Sequence, residues 1–429
     1  MSGLAAPALA RGIDPGARGA GRALLGTLLL VSMFSQIDRI LPFILAESIR
    51  EELGLSDTEL GLVTGLAFAV CYALMSLPLA RAADRGSPKV VMVACMLLWS
   101  AMTALGGAAT GFIFLAITRF GVALGEAGAT PSAHAIIARQ IPAERRGRAI
   151  GLFAMGIPLG TMIGFAGGGA LNDTIGWRGA LMGAGLTGGL IALLAMAMVR
   201  PTRPLVRTGE AGEPFLRASA KLLGNPGFRW IFVGSVVVGF AGAPFYAFAA
   251  PFLMRTHGLS ASEVGLSFGL LQGLMGIIGT LAGGAGFDQA VRSGSGRVLG
   301  PPAWLFIGAS IVAVPALLAP GPELAIALLV PFMLSFSFLL PWAFGAAHLV
   351  AGTGKEAMAS GLVLIGSGLL GPALGPVLIG LISDGATAAG MGNGLGLGLM
   401  IAPAAGMATG IVMLVANRRI SEGMAGQAG

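Results

Sequence analysis

Twelve stretches of this chain are apolar over about twenty residues each, the length a helix needs to cross the hydrocarbon core of a bilayer. They fall at roughly 23–48, 58–82, 89–110, 111–139, 147–171 and 177–199, and then at 228–254, 260–285, 298–319, 323–349, 357–383 and 392–417. Lipid offers no partner to a backbone N–H or C=O, so each stretch must close its own hydrogen bonds as a helix. The expected fold is an all-α membrane protein. Composition agrees: 10% of residues are charged, where soluble domains run near a quarter. That share excludes an ordinary soluble enzyme, and the 55% hydrophobic content excludes a disordered chain. The 71 glycines follow no collagen period; in a membrane protein small residues let helices approach closely.

The layout is six spans, a linker and six spans. We divide the chain into a cytoplasmic tail 1–22, an N-terminal bundle 23–199, a linker 200–227, a C-terminal bundle 228–417 and a tail 418–429. The linker is the longest polar stretch, and Pro214 to Leu223 within it reads as a short amphipathic helix on the membrane face. The start of the chain lacks the apolar core of a signal peptide. Most of the 26 Lys and Arg residues fall on one side if the N-terminus is cytoplasmic. Only Arg50, Arg178 and Arg255 then lie outside, with Arg39 and Arg119 inside spans. By the positive-inside rule both termini are cytoplasmic. The net charge of +7 is therefore topology, and no nucleic-acid partner is expected. The Ala, Gly and Arg content points to a bacterial inner membrane.

An internal repeat supports the two halves. Ala149, Gly151, Leu152 and Gly156 recur as Ala359, Gly361, Leu362 and Gly366. After a one-residue gap, Gly164, Gly169 and Asp173 recur as Gly375, Gly380 and Asp384. A duplicated six-helix unit produces such an offset. Gly371-Pro372-x-x-Gly375-Pro376 in span eleven reads as a flexing point, because proline frees a backbone carbonyl.

No catalytic set is present. Gly183-x-Gly185-x-x-Gly188 lies mid-span with no strand before it, and His134, His257 and His348 are scattered. Cys71 and Cys95 sit in apolar runs, and neither a metal nor any other cofactor is expected. The chemistry lies in four charges inside spans: Asp38 and Arg39 in the first, Arg119 and Glu126 in the fourth. Charged groups at such depth are costly and functional by default. Arg119 and Glu126 are seven apart, so they share a helix face but stand about 10 Å apart along it. Asp38 and Arg39 point about 100° apart. The economical pairing crosses helices, Arg39 with Glu126 and Asp38 with Arg119. The second half offers aromatic residues instead: Phe240, Phe245, Tyr246, Phe248 and Phe252 in span seven; Phe332, Phe336, Phe338, Trp342 and Phe344 in span ten. An apolar wall facing the charged half suits an amphipathic substrate.

The loop Ala80-Arg81-Ala82-Ala83-Asp84-Arg85-Gly86-Ser87-Pro88-Lys89 resembles the G-x-x-x-D-R-x-G-R-R signature of the major facilitator superfamily, with a weaker copy at Gly284 to Asp288. Arg119 to Ala127 resembles its R-x-x-x-G-x-G-x-A signature, with Ala123 for the first glycine. Within that superfamily five features resemble the Spinster-type transporters. They are Gln36-Ile-Asp38-Arg39; Gly125-Glu126-Ala127 with Pro131; Arg145-Arg146-x-Arg148-Ala149; Pro158-x-Gly160-x-x-x-Gly164; and Gly176-Trp177-Arg178. The likeness is dense over 30–180 and diffuse beyond. It implies twelve helices in two pseudo-symmetric bundles, a transporter and no enzyme, and a sphingolipid or lysophospholipid substrate moved with proton coupling. It makes Asp38, Glu126 and Arg119 the proton-coupling groups. Asp84 and Arg85, with Lys89 and Asp288, become the inner gate. Substrate contacts are expected at Arg39, Glu126, Phe245, Tyr246 and Trp342, with protons, membrane lipids and a monomeric state completing the partners. Aspartate-arginine in span one also occurs in organic-anion symporters of the superfamily, so a small anion is the alternative substrate.

Overall fold

The computed structural model describes residues 15–201, 215–293, 298–352 and 355–428. The expected tail before residue 15 and the linker between 201 and 215 lie outside these residues. Among the described residues there are helices and no strands. α1 runs Pro15–Ile44, so part of the expected tail is already helical. It is followed by α2 (Asp57–Arg85), α3 (Pro88–Gly106) and α4 (Phe112–Gln140). The next helical run, Arg145–Met198, is 54 residues long and holds two crossings. They turn about Gly176 (φ 74, ψ 166), a backbone conformation open to glycine alone; α5 is 145–175 and α6 is 177–198. In the second half α7 is Pro226–His257, α8 is Ala261–Arg292, α9 is Gly300–Ala316, α10 is Pro322–Ala351, α11 is Met358–Ala388 and α12 is Gly394–Glu422. α9, at 17 residues, is the shortest crossing. α11 breaks at Leu369, three residues before Pro372, whose ring and missing N–H disturb the preceding turn.

The twelve helices carry a belt of exposed large apolar side chains, among them Leu74, Ile117, Leu186, Leu281 and Trp304. On a soluble protein so large an apolar surface would aggregate; here it is the face that lipid covers. The linker helix Phe215–Gly224 buries Ser219 and Leu222 and exposes Arg217 and Lys221, as its amphipathic sequence requires.

The Gly176-Trp177-Arg178 turn ties one end of the N-terminal bundle together. Trp177 Nε1 donates to Glu52 at 2.6 Å and Arg178 Nε at 2.8 Å, while Arg178 Nη1 caps the end of α3 through the carbonyls of Gly107 and Ala109. The bonds from Arg178 and Trp177 hold the Glu52 carboxyl below its ordinary range. A lowered carboxylate stabilises the fold above its unfolded-state pKa, and that contribution fades as pH falls through the lowered value.

Candidate functional site

α1 and α4 bring Arg39 and Glu126 together at mid-depth. Arg39 Nε lies 2.5 Å from Glu126 Oε2. Glu126 is fully buried, whereas the Arg39 side chain keeps 32% of its surface exposed. Asp38 and Arg119 form no such pair. Asp38 is 1% exposed, and neither of its oxygens has a hydrogen-bond partner. Its neighbouring donors are Thr103 and Trp99 of α3, with Arg119 contributing only a longer-range attraction.

α2 supplies two residues that sequence reasoning did not single out. The Arg39 guanidinium stands 4.7 Å from the Tyr72 ring centre and 5.4 Å from that of Phe68. The Arg119 guanidinium stands 5.4 Å from the same Phe68 ring. Phe68 and Tyr72 are one helical turn apart and stacked. Their π faces attract both cations, and this attraction strengthens where water is excluded.

Five aromatic residues of the second half, Phe245, Tyr246, Phe306, Phe332 and Phe336, form a connected cluster. Tyr246 and Phe336 are half-buried. Phe245 and Trp342 are each only 2% exposed. They belong to the packed interior, whereas Tyr246 and Phe336 keep part of their surface open. Trp342 rests on Phe287 and Phe338.

The two bundles are tied to each other at one end, where α2 starts and α7 and α11 finish. Arg255, at the end of α7, makes a two-pronged pair with Asp57 (2.8 and 2.9 Å) and also binds Glu47 at 2.7 Å. Ser383 of α11 donates to Asp57. The repeated aspartates are the remaining ties. Asp384 accepts from the backbone N–H groups of Asp57 and Thr58 and from the Thr58 hydroxyl, at 3.0, 2.9 and 2.6 Å. Asp173, its counterpart in α5, accepts from the Ser262 N–H at 2.8 Å. Each carboxylate thus sits on the first turn of a helix of the opposite bundle, where N–H groups lack intrahelical partners. Each receiving helix opens with a capping box, Ser56 with Glu59 and Ser260 with Glu263, and continues into a π-helical turn. The repeated Gly169 and Gly380 allow the approach: a side chain at either would overlap the carbonyl of Ala261 or of Asp57.

The signature loop lies at the opposite ends of these helices. There Asp84, Arg85 and Asp288 are exposed and Lys89 is half-buried. The loop carbonyls of Ala83, Asp84 and Gly86 accept from Arg139 of α4, within the same bundle. Removing the Asp384 ties is expected to favour the outward-open form. Bonds to a charged group contribute about 1.5–3 kcal/mol each. Asp384→Ala should therefore raise the outward-open population by at least about tenfold, and Asp173→Ala by less. Spin-label distances between the outer ends of α2 and α11 test this; an unchanged distribution in Asp384→Ala would contradict it.

Comparison with known proteins places this geometry among transporters. A family model described as the Major Facilitator Superfamily matches residues 27–376. The structure is similar to that of a bacterial homolog of the human lysosomal transporter Spinster, solved in two inward-facing forms. The unoccupied form has a TM-score of 0.78 and 26% identity, covering 96% of this chain and 97% of that one. The occupied form has a TM-score of 0.79 and 27% identity, covering 95% and 97%. The sequence is also 34% identical over 400 residues to an MFS-type efflux pump of Mycolicibacterium smegmatis, 91% of each chain.

Proposed function

The chain belongs to the Major Facilitator Superfamily, and from that premise we propose that it carries an amphipathic, lipid-like substrate, of the lysophospholipid or sphingolipid type, by alternating access driven by the proton gradient. It is a multi-pass membrane transporter and not an enzyme. The observation that carries the substrate reading is Arg39. Its guanidinium is held by Glu126 and lies against Tyr72, and the Arg39 side chain keeps 32% of its surface exposed. A planar donor presented in this way suits a phosphate or carboxylate headgroup. The aromatic surface of Tyr246 and Phe336 in the other bundle gives an acyl chain a place to lie. Asp38, Glu126 and Arg119 handle the proton, and Asp84, Arg85, Lys89 and Asp288 assemble the inner gate when the outer one opens. The protein works as a monomer in a bacterial inner membrane, with both termini cytoplasmic and no bound cofactor.

A second reading concerns direction. The efflux-pump relative favours extrusion in exchange for protons over uptake with them. Purified protein in proteoliposomes, offered a lysophospholipid, a sphingoid lipid and small organic anions under pH gradients of either sign, tests both readings. The lipids should be transported and the small anions should not. Transport of small anions alone would overturn the lipid reading, and the sign of the driving gradient decides between exchange and symport.

A further inference from the structure

We propose that Gln36 is a second substrate contact: its carboxamide oxygen accepts a hydrogen bond from a hydroxyl or ammonium group lying a few bonds from the anion held at Arg39. The transporter thereby selects amphiphiles whose anionic headgroup carries such a donor over those with a bare anion. This inference rests on the reading of Arg39 as the headgroup anchor.

Burial along the middle of α1 picks out one open stripe. Between Gln36 and Phe43 the side chains of Ile37, Asp38, Ile40, Leu41 and Pro42 are buried, and Gln36, Arg39 and Phe43 are the half-buried ones. These three are three and four residues apart, a spacing that sets them one above another on a single helix face. Over about 10 Å of axis that face offers a carboxamide, then a cation, then an aromatic ring. Gln36 and Arg39 are about 4.5 Å apart along the axis, close enough for one headgroup to touch both.

The hydrogen bonds around Gln36 fix which of its polar atoms is on offer. The Thr161 hydroxyl donates to the Ile157 carbonyl at 3.0 Å, so toward Gln36 its oxygen can only accept. The carboxamide therefore meets it with Nε2, which donates at 3.2 Å, and Oε1 is left over. Among the described residues Oε1 has no hydrogen-bond partner, and it is not one of the atoms shut away from solvent. The base of the side chain is fixed as well, because α5 crosses α1 closely at this level: a side chain at Gly160 would overlap Gln36 Cβ and the Met33 carbonyl. An acceptor beside a cation makes a two-point site. Arg39 has donors only, so it takes the anion; Gln36 Oε1 has no proton to give, so it takes the donor. Gln36 carries no charge, and it can read that donor without competing with Glu126 for Arg39.

Three probes that share a long acyl or alkyl chain and a phosphate test this on the purified full chain. They are oleoyl lysophosphatidate, with a hydroxyl beside its phosphate ester; its deoxy counterpart, without that hydroxyl; and oleyl phosphoethanolamine, with an ammonium group. Titration calorimetry should show the unaltered protein binding at least one donor-bearing probe about fivefold more tightly than the deoxy probe, the size of one neutral hydrogen bond. Gln36→Met keeps the length of the side chain and removes its polar atoms. It should erase that preference and leave binding of the deoxy probe unchanged, and whichever donor-bearing probe it weakens tells hydroxyl from ammonium. Thr161→Val is the second variant: it releases the carboxamide, which can then turn over, and the preference should narrow while Gln36 is still present. Binding of all three probes without preference would overturn this inference and leave the lipid reading standing. So would equal losses for all three in Gln36→Met, the mark of a residue that only braces α1 against α5. Binding of none of them by the unaltered protein would overturn the lipid reading and this inference with it.

Discussion

Asp38→Asn is expected to abolish substrate accumulation driven by a pH gradient while leaving counterflow measurable. A gradient of one pH unit stores about 1.4 kcal/mol per proton, enough for about tenfold accumulation. The variant should therefore fall from about that ratio to unity. The argument turns on what a carboxyl group does when it titrates. Ionised, it only accepts hydrogen bonds; protonated, it also donates one. Asp38 has both oxygens buried among donors that have no other partner, so a change of proton rearranges the interior of α1, α3 and α4 together. Asparagine keeps the shape and removes the titration. Counterflow needs only binding and the rocking of the bundles, so it should survive. Because no ion pair holds Asp38, its replacement should not lower thermal stability; breaking a buried pair, by contrast, costs about 3–5 kcal/mol. Glu126→Gln should also abolish the gradient-driven ratio, and because it breaks the Arg39 pair it should lower the melting temperature. Normal accumulation in both variants would show that the proton is carried elsewhere.

The contrast between these two acids shows how much of the site is legible in a sequence. Four charges inside apolar spans stand out because burying a charge is costly, and helical spacing already separates Arg119 from Glu126 along one face. The Arg39–Glu126 pair is then the short route between helices. Nothing in the spacing of an apolar span distinguishes Phe68 and Tyr72 from lipid-facing aromatics; only the guanidiniums beside them do. In α7 the distinction could have been read. Phe245, Phe248 and Phe252 are three and four residues apart, and that stripe is the packed face, each 2% exposed or less. Tyr246, about 100° around the helix, is the half-buried one.

The outer closure was hidden for a different reason. Arg255 reads as an outside loop charge and Glu47 and Asp57 fall at the ends of spans, because topology rules count which side a charge lies on and not what it touches. Asp173 and Asp384 were visible as a repeat. Their role follows only from the opposing helix starts, Ser262 and Asp57 with Thr58, and a sequence does not say which helix of the other bundle will face them. The inner signature around Asp84 is the converse case. It is plain in the sequence, yet Asp84 and Arg85 stand exposed, while the carbonyls of the loop accept from Arg139 of the same bundle.

Arg39→Lys is expected to weaken binding of anionic-headgroup substrates by roughly 1–3 kcal/mol, the scale of hydrogen bonds to a charged group, or about 5–150-fold. Arg39 binds Glu126 through Nε, lies against Tyr72, and in the proposed mode would give its remaining N–H groups to the headgroup. A planar guanidinium can do all three because its five donors point in fixed directions. A lysine has one compact ammonium, and directing it to Glu126 withdraws it from the headgroup. An arriving anion competes with Glu126 for the same guanidinium, so substrate and the Glu126 proton are linked through it. Whatever factor the substrate imposes on proton binding, the proton must impose on substrate binding. Arg39→Lys should therefore flatten the pH dependence of substrate affinity as well as lower it. An uncharged analogue with the same acyl chain should bind both proteins alike, because its contacts are with the aromatic surface and not with the cation. Titration calorimetry at two pH values with the charged and uncharged ligands separates the cases. Equal losses for both ligands would mean that Arg39 only braces α1 against α4, and the headgroup would then have to find its anchor on another residue.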